Sequence, residues 1–383
     1  MGCLSIEINF IFANMKIAII GSRGVPNNYG GFEQFAEMVA VLLVKAGHDV
    51  TVYNPHYHEY NEPTFQGVKI QKIYNPEEKI GSPGVFIYDY LSMVHASKSK
   101  FDIQLYLGYA TSSIFYPFVR KRNSIWVTNM DGLEWKRDKW SPTVKKITVF
   151  FEKLGVKYSD YLVSDNREIR NYFLNTYQKD STFIAYGATL FNSPDTSCLK
   201  EYELEAYNYD MLVARLEKEN NIETILDGYL LSSSDKPMLV IGNHKTPYGE
   251  LLKAKYANAK DIRFLGGLYN LNLLDNLRWH SRYYFHGHSV GGTNPSLLEA
   301  MASGAFIMAH NNLFNRDVLG ENAFYFDDAQ GVANIIDGKT EVESKRTAFI
   351  QNNKTKIDQE YNWQKIADEY ETMFKHCLSE KRK

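Results

Sequence analysis

The stretch His286-Gly287-His288-Ser289-Val290-Gly291-Gly292-Thr293-Asn294-Pro295-Ser296-Leu297-Leu298-Glu299-Ala300-Met301-Ala302-Ser303-Gly304 decides how the chain is read. Arg282–His286 has the character of a buried strand end, and Gly291-Gly292-Thr293 lets backbone come close to a ligand. Asn294 is placed as a helix N-cap, Pro295 as the first helical residue and Gly304 as the residue that closes the helix. Such a start presents N–H groups and the positive end of a helix dipole to an anion. Glu299, just over a turn further on, is positioned to accept a hydrogen bond from a sugar hydroxyl beside that anion. A diphosphate attached to a ribose fits this arrangement; the plain alternative is an ordinary strand, glycine-rich turn and helix.

Working outward, strand-like apolar runs alternate with helical periods along the chain, which predicts parallel sheets built of βαβ units and an α/β fold. The first series is Lys16–Ile20, Asp49–Tyr53, Lys69–Tyr74, Ile103–Leu107, Ser124–Thr128, Tyr161–Ser164 and Thr182–Ala185. The second is Met211–Ala214, Met238–Gly242, Ile262–Leu265, Tyr283–His286, Ala305–Ala309 and Ala323–Phe326. Two doubly wound domains follow, 15–192 and 193–360, with a turn-rich boundary at Asn192–Thr196 and a helical tail over 361–383. A length of 383 residues suits two cores. The formal net charge of −2 offers no global attraction to nucleic acid. Cys3, Cys198 and Cys377 are odd in number, far apart and without metal spacing, and read as free thiols of a reducing cytoplasm. Residues 1–14 lack the basic start and cleavage site of a signal peptide, so Met15 is the expected natural start, and no apolar run has the length of a membrane span.

Other motifs follow strands. Gly21 to Glu33 is too long and wrongly spaced for a dinucleotide fingerprint, and no acidic residue ends the second strand. Its Gly30-Gly31 pair opens a helix whose apolar positions are Phe32, Phe35, Ala36, Val39, Leu42, Leu43 and Ala46. Asn129-Met130-Asp131-Gly132-Leu133-Glu134-Trp135 follows another strand; Asp131 has the alternative role of a helix N-cap. Arg215-Leu216-Glu217-Lys218-Glu219-Asn220-Asn221 follows the first strand of the second series, where a solvated surface charge is the plain reading of either basic residue. Ten basic and four acidic residues lie between Arg120 and Lys157, interleaved with Trp135, Trp140, Phe150 and Phe151. There Val144, Ile147, Phe151, Leu154 and Tyr158 form one helix face expected to pack in the core, while the lysines suit an anionic membrane surface. Alternate positions on a strand face opposite ways, so His286 and His288 do not easily share a metal if the strand runs on past His286.

The 286–304 stretch resembles the C-terminal signature of retaining GT-B glycosyltransferases of family 4, and its Gly-His-Ser-Val-Gly-Gly-Thr-Asn-Pro form is similar to a bacterial rhamnosyltransferase-like branch. Asp-Gly-Leu-Glu-Trp at 131–135 resembles the N-terminal signature of the same branch, and Tyr361-Asn362-Trp363 with its following helix is similar to the family's closing helix. The resemblance implies two Rossmann-like domains facing each other across a cleft, the C-terminal helix crossing back to the first domain. Family members carry two glutamates eight positions apart that contact donor sugar and ribose; Glu299 matches the second, while Gly291 stands where the first is expected. A usual lysine is likewise replaced, by Asn220.

By the same resemblance, Gly30, Gly31, Gly291, Gly292, Thr293, Asn294 and Glu299 bind a nucleoside diphosphate sugar, and Arg215, Lys218, Asp131 and His288 are the catalytic candidates. Glu134 and Trp135 line the acceptor site. The implied reaction moves a hexose to a hydroxyl of a lipid-linked glycan in polysaccharide assembly, with anomeric configuration retained and no metal or other cofactor. L-Rhamnose from dTDP-rhamnose is the leading donor, with a UDP-hexose or GDP-fucose as alternatives; a catalytically silent sugar-nucleotide binder is the reading from another class. The expected place is the cytoplasm, in peripheral contact with the inner membrane face.

Overall fold

The computed structural model describes residues 14–28, 30–119, 122–137 and 140–381. The reading of residues 1–13, with Cys3, and the charges at Arg120, Lys121, Asp138 and Lys139 lie outside them. The fold is α/β with two parallel-sheet units. Unit 1 comprises the chain to Trp135, Pro142–Tyr186 and the segment from Trp363; unit 2 comprises Lys136–Ser141 and Gly187–Asn362. The division therefore falls at Tyr186 and Gly187, a few residues ahead of the turn-rich Asn192–Thr196 region.

The first sheet has eight strands: β1 Lys16–Ile20, β2 Asp49–Pro55, β3 Thr64–Phe65, β4 Val68–Ile73, β5 Ile103–Leu107, β6 Ile125–Asn129, β7 Tyr161–Ser164 and β8 Thr182–Phe183. Their order is β3-β4-β2-β1-β5-β6-β7-β8, parallel except for the β3–β4 hairpin. The second holds β9 Asp210–Val213, β10 Met238–Ile241, β11 Ile262–Gly266, β12 Tyr283–His286, β13 Ile307–His310 and β14 Phe324–Phe326, in the order β11-β10-β9-β12-β13-β14 and parallel throughout. In each sheet the chain first winds outward on one side of a central strand and then on the other, so β1/β5 and β9/β12 are the switch points. Loops leaving the carboxyl ends of such a pair diverge and leave a crevice for ligands.

The sequence explains the strands. Ile17, Ala18, Ile19 and Ile20 are fully buried, as are all five residues of β5, because helices cover both faces of a parallel sheet. Short polar β3 carries no such run and is absent from the sequence reading. The helix Trp363–Lys381 packs on the helix Gly31–Lys45 within unit 1, as the family resemblance predicts. Phe35 lies edge-on to Trp363 and Tyr370, with ring centroids at 6.5 and 5.2 Å. His48 takes the Met15 N–H on Nδ1 and directs Nε2 at Glu371, 2.8 Å away.

One helix face differs from expectation. In Pro142–Tyr158 the buried positions are Thr148, Glu152, Gly155 and Val156, whereas Ile147 and Phe150 are exposed. Packing is set by Glu152, fully buried, whose carboxylate accepts from the hydroxyls of Tyr109, Tyr172 and Tyr177 at 3.2, 2.7 and 2.6 Å. Three donors offset the loss of hydration and turn a charged residue inward, which apolar periodicity cannot reveal.

In unit 2, Asp210 and Arg282 pair at the amino-terminal ends of the two switch strands, both side chains nearly or wholly buried. Arg282 Nε donates to Asp210 Oδ1 at 2.9 Å, and Nη2 donates to Asp210 Oδ2 and Ser234 Oγ. Removing one member strands a buried charge, whereas replacing both with apolar groups does not. Asp210→Ala is therefore expected to cost about 3–5 kcal/mol in urea unfolding, with most of that recovered in Asp210→Leu combined with Arg282→Met. Equal losses in the single and double variants would contradict this account.

Candidate functional site

The loops leaving β9 and β12 are stitched together at the unit 2 switch point. Ala214–Asn221 contains one 3₁₀ turn at Lys218–Asn220 and leads into the helix Ile222–Leu231. Asn220 Nδ2 donates to the Arg215 carbonyl at 2.7 Å and closes the loop on itself. Asn221 Nδ2 donates across to the Gly287 carbonyl at 2.8 Å, and Ser289 returns its N–H and Oγ–H to the Glu219 carbonyl at 3.1 and 2.7 Å. A Cβ at Gly287 would lie 2.1 Å from the Asn220 carbonyl oxygen, so only glycine lets the loops approach this closely.

Beyond it, Asn294 Oδ1 accepts from the Ser296 N–H at 3.0 Å and caps the helix Pro295–Ala302, with Pro295 in its first turn. Gly291 holds φ near +130°, a conformation L side chains rarely adopt, although a Cβ there would meet nothing within 4 Å. Backbone shape, not crowding, thus keeps a side chain from the position where a glutamate is expected. Thr293 is buried, and Gly292 and Asn294 are partly exposed.

Glu299 is anchored from behind. Arg278, wholly buried, donates through Nη2 to Glu299 Oε2 at 2.7 Å and through Nη1 to Asp275 Oδ1 at 3.0 Å. Its guanidinium also lies over the Tyr284 ring at 6.0 Å. The Glu299 side chain retains 19% exposure, so a fixed carboxylate still reaches solvent. Burial pushes the Asp275 carboxyl up to about 6. Arg278 carries no sequence signal of this role, because an arginine in an amphipathic helix reads as a surface charge.

His286 and His288 share a side after all: β12 ends at His286, Gly287 breaks the alternation, and the two rings stack at 4.5 Å with a 15° interplanar angle. Neither nitrogen of His286 nor Nδ1 of His288 has a hydrogen-bond partner. Burial holds both imidazoles well below their ordinary value, helped at His286 by His288 and at His288 by Arg215. Among the described residues no group of three or more His, Cys, Asp or Glu is placed to hold a metal ion. Arg215 and Lys218 are exposed on the loop, within unit 2.

In unit 1 the loop after β1 folds over the next helix. The Arg23 N–H donates to Glu33 at 2.6 Å and the Asn27 N–H to Glu37 at 2.6 Å, while the Arg23 guanidinium pairs with Glu77. Asn54 clamps Val25 through both amide atoms. Gly30 is extended ahead of the helix that Gly31 begins, and Tyr186 Oη donates to the Gly31 carbonyl at 2.7 Å. After β5, Thr111 donates to buried Asp89 at 2.5 Å, and burial pushes that carboxyl up to about 7. Asp131 follows β6 with φ 51° and a N–H bonded to Asn129 Oδ1 at 3.0 Å. Glu134 opens a 3₁₀ turn, and Trp135 packs on Tyr172 at 6.1 Å. Asp131, Glu134 and Trp135 thus cluster in unit 1, while Arg215, His288, Glu299 and the glycine loop cluster in unit 2.

The histidine pair makes stability depend on pH. Unfolded, each imidazole gains a proton near pH 6.5; folded, it does not, so stability is complete above about 6.5 and declines as pH falls. His286→Phe, which replaces a ring whose nitrogens have no partners, is expected to reduce the loss between pH 7.5 and 5.5 by about 1 kcal/mol. Chemical denaturation at the two pH values reads this difference, and an unchanged loss would refute it.

The profile of a family described as a domain of unknown function, DUF1972, matches residues 14–189, just under half of the chain. An uncharacterised glycosyltransferase of Methanocaldococcus jannaschii is 22% identical over 398 aligned positions, covering 95% of this chain and 99% of that protein. Among solved structures, sucrose-phosphate synthase from Thermosynechococcus elongatus matches with a TM-score of 0.79 at 16% identity, over 96% of this chain and 100% of that one. HepE from Anabaena, in complex with UDP-glucose, matches with a TM-score of 0.72 at 13% identity, over 94% and 99%. The fold is therefore the two-domain, Rossmann-like GT-B fold.

Proposed function

We propose that this chain is a retaining glycosyltransferase that takes a nucleoside diphosphate sugar and passes a hexose to a saccharide hydroxyl. One observation carries the reading: at the unit 2 switch point, two loops bonded to each other carry Arg215 and a glycine segment, and the second leads into a capped helix start whose Glu299 carboxylate is fixed by a buried arginine. That set matches a sugar nucleotide group by group. The helix start and Arg215 face the diphosphate, and Glu299 accepts a ribose hydroxyl. The likeness to HepE, whose crystals hold UDP-glucose, supports the same assignment.

In the reaction, the acceptor oxygen forms a bond to the anomeric carbon as the bond from that carbon to the diphosphate oxygen breaks. The acceptor proton passes to the departing diphosphate. Arg215, with Lys218 in support, and the helix start at Asn294 stabilise the accumulating negative charge. His288, neutral because its imidazole is held well below the usual value, donates one N–H without adding charge. Front-face attack by the acceptor is favoured over a covalent intermediate. Asp131 orients the acceptor hydroxyl, and Glu134 and Trp135 hold the acceptor glycan.

dTDP-rhamnose is the leading donor, on the similarity of residues 287–301 to the rhamnosyltransferase-like branch, and a UDP-hexose is the second. The acceptor is a lipid-linked saccharide, and the enzyme meets it in the cytoplasm at the membrane face. No helix among the described residues is long and apolar enough to cross a membrane. Helix Pro142–Tyr158 instead turns Lys146, Ile147, Phe150, Lys153 and Lys157 outward, a basic and apolar face suited to anionic lipid.

A thermal-shift panel tests the donor site: dTDP is expected to raise the melting point more than UDP or GDP, because ligand bound to the folded form stabilises it. Arg215→Ala and Glu299→Ala are each expected to weaken dTDP binding about tenfold or more, near 1.4 kcal/mol. An undiminished dTDP response in both would remove the pocket. Released nucleoside diphosphate in a donor hydrolysis assay marks the enzyme, and binding without turnover even with acceptor extract marks a silent binder. For the lipid face, sedimentation with phosphatidylserine vesicles is expected to fall severalfold in Phe150→Ser with Lys146→Ser, and equal sedimentation would refute the contact.

A further inference from the structure

Glu219 is buried to 5% exposure, and apart from the neighbouring acid Glu217 neither of its carboxylate oxygens has a hydrogen-bond partner. Among the described residues it alone leaves both oxygens of a buried carboxylate in that condition. Folded proteins satisfy nearly all such atoms, since an unmade bond costs about 1–3 kcal/mol and more for a charged group. Among the described residues Glu152, with its three tyrosines, and Asp210, with Arg282, follow the rule, and buried Asp89 keeps Thr111 on one oxygen. Glu219 therefore stands ready for a ligand that brings donors.

Its place says which ligand. The Glu219 carbonyl holds both the N–H and the hydroxyl of Ser289, two residues before Gly291, so the residue is fixed against the glycine loop. Its side chain shares two charged neighbours, Glu217 and Arg137, with His288, and His288 is in turn beside Arg215. All of these belong to unit 2. Around Gly291 the space a side chain would fill is open. A carboxylate next to Glu217 repels phosphate, which excludes the diphosphate as its partner. A pyranose ring with adjacent hydroxyls offers two O–H donors to two oxygens, and a bidentate pair of this kind suits a carboxylate.

We propose that Glu219 accepts the hydroxyls of the donor's sugar ring, supplying from the loop after β9 the carboxylate that the glycine loop lacks at Gly291. The assignment rests on the sugar-nucleotide reading above and goes beyond it by naming the group that distinguishes a sugar nucleotide from the bare nucleotide. Carboxylate discrimination of this sort is strong, because a ligand without the hydroxyls leaves the buried acceptor unmet. Burial and Glu217 both raise the Glu219 carboxyl above its ordinary value, and hydroxyl donors favour its ionised form.

The test compares dTDP with dTDP-rhamnose, and UDP with UDP-glucose, by calorimetry on the wild type, Glu219→Gln and Glu219→Ala. Gln keeps the shape if Ala fails to fold. The expected result is nucleoside diphosphate affinity within twofold of wild type, sugar-nucleotide affinity at least tenfold weaker, donor hydrolysis at least a hundredfold slower, and an unliganded melting point no lower than wild type. A merely structural glutamate would give the opposite pattern, a lower melting point with both ligands weakened alike. Sugar-nucleotide affinity that survives in Glu219→Gln, or falls only in step with the nucleoside diphosphate, overturns the role of Glu219 and leaves the functional reading intact. If no nucleotide or sugar nucleotide binds the wild type, the functional reading fails and Glu219 goes with it.

Discussion

The structure depends on the divergence of two parallel strands. β9 and β12 are neighbours in the sheet, yet their chains leave in opposite winding directions, so two loops must pass each other at the carboxyl ends with backbone polar groups to satisfy. The fold meets that demand by exchange: Asn221 serves the Gly287 carbonyl, and Ser289 serves the Glu219 carbonyl. Gly287 permits the contact by having no Cβ. Once these bonds form, Arg215, Glu219, His288 and the start of the helix Pro295–Ala302 are held in one neighbourhood.

At the other end of the same strands, the Asp210–Arg282 pair ties β9 to β12. The pair is saturated, with Ser234 taking a further guanidinium N–H, and gives the switch point a rigid base. Arg278 acts similarly one helix away, consuming one oxygen of Glu299 and leaving the carboxylate oriented. Rigid support beneath a site is what allows exposed groups above it to bind without reorganising.

Much of this was legible in the sequence, for identifiable reasons. Central strands such as Lys16–Ile20 and Ile103–Leu107 are buried on both faces and read as continuous apolar runs. Asn294 and Pro295 announced their helix because capping chemistry is local. What escaped depends on contacts distant in sequence. Glu152 faces inward only because Tyr109, Tyr172 and Tyr177 surround it, and this reversed the expected burial of Ile147. The stacking of His286 and His288 followed from the turn at Gly287, which breaks the alternation where the strand was expected to end. Arg278, in an amphipathic helix, and Glu219, in a charged run, both have a solvated surface as their simplest reading.

Those two residues show how the fold divides its buried charges. Arg278 is given two carboxylates and an aromatic face, so its burial is repaid within the chain and it serves as a support. Glu219 has the acid Glu217 against its carboxyl and Arg137 as a charged neighbour, while Ser289 donates to its carbonyl rather than to its carboxylate. The nearby hydroxyl is spent on backbone that must be satisfied for the loops to meet, and the side chain is left with unmet capacity. A stability-driven arrangement would neutralise or replace that carboxylate; keeping it beside Glu217 sacrifices folding free energy where a polyhydroxyl ligand would restore it. The asymmetry between an arginine paired with two carboxylates below the helix and a glutamate whose side-chain partner is another acid beside the glycine loop separates the scaffold of the site from its binding surface.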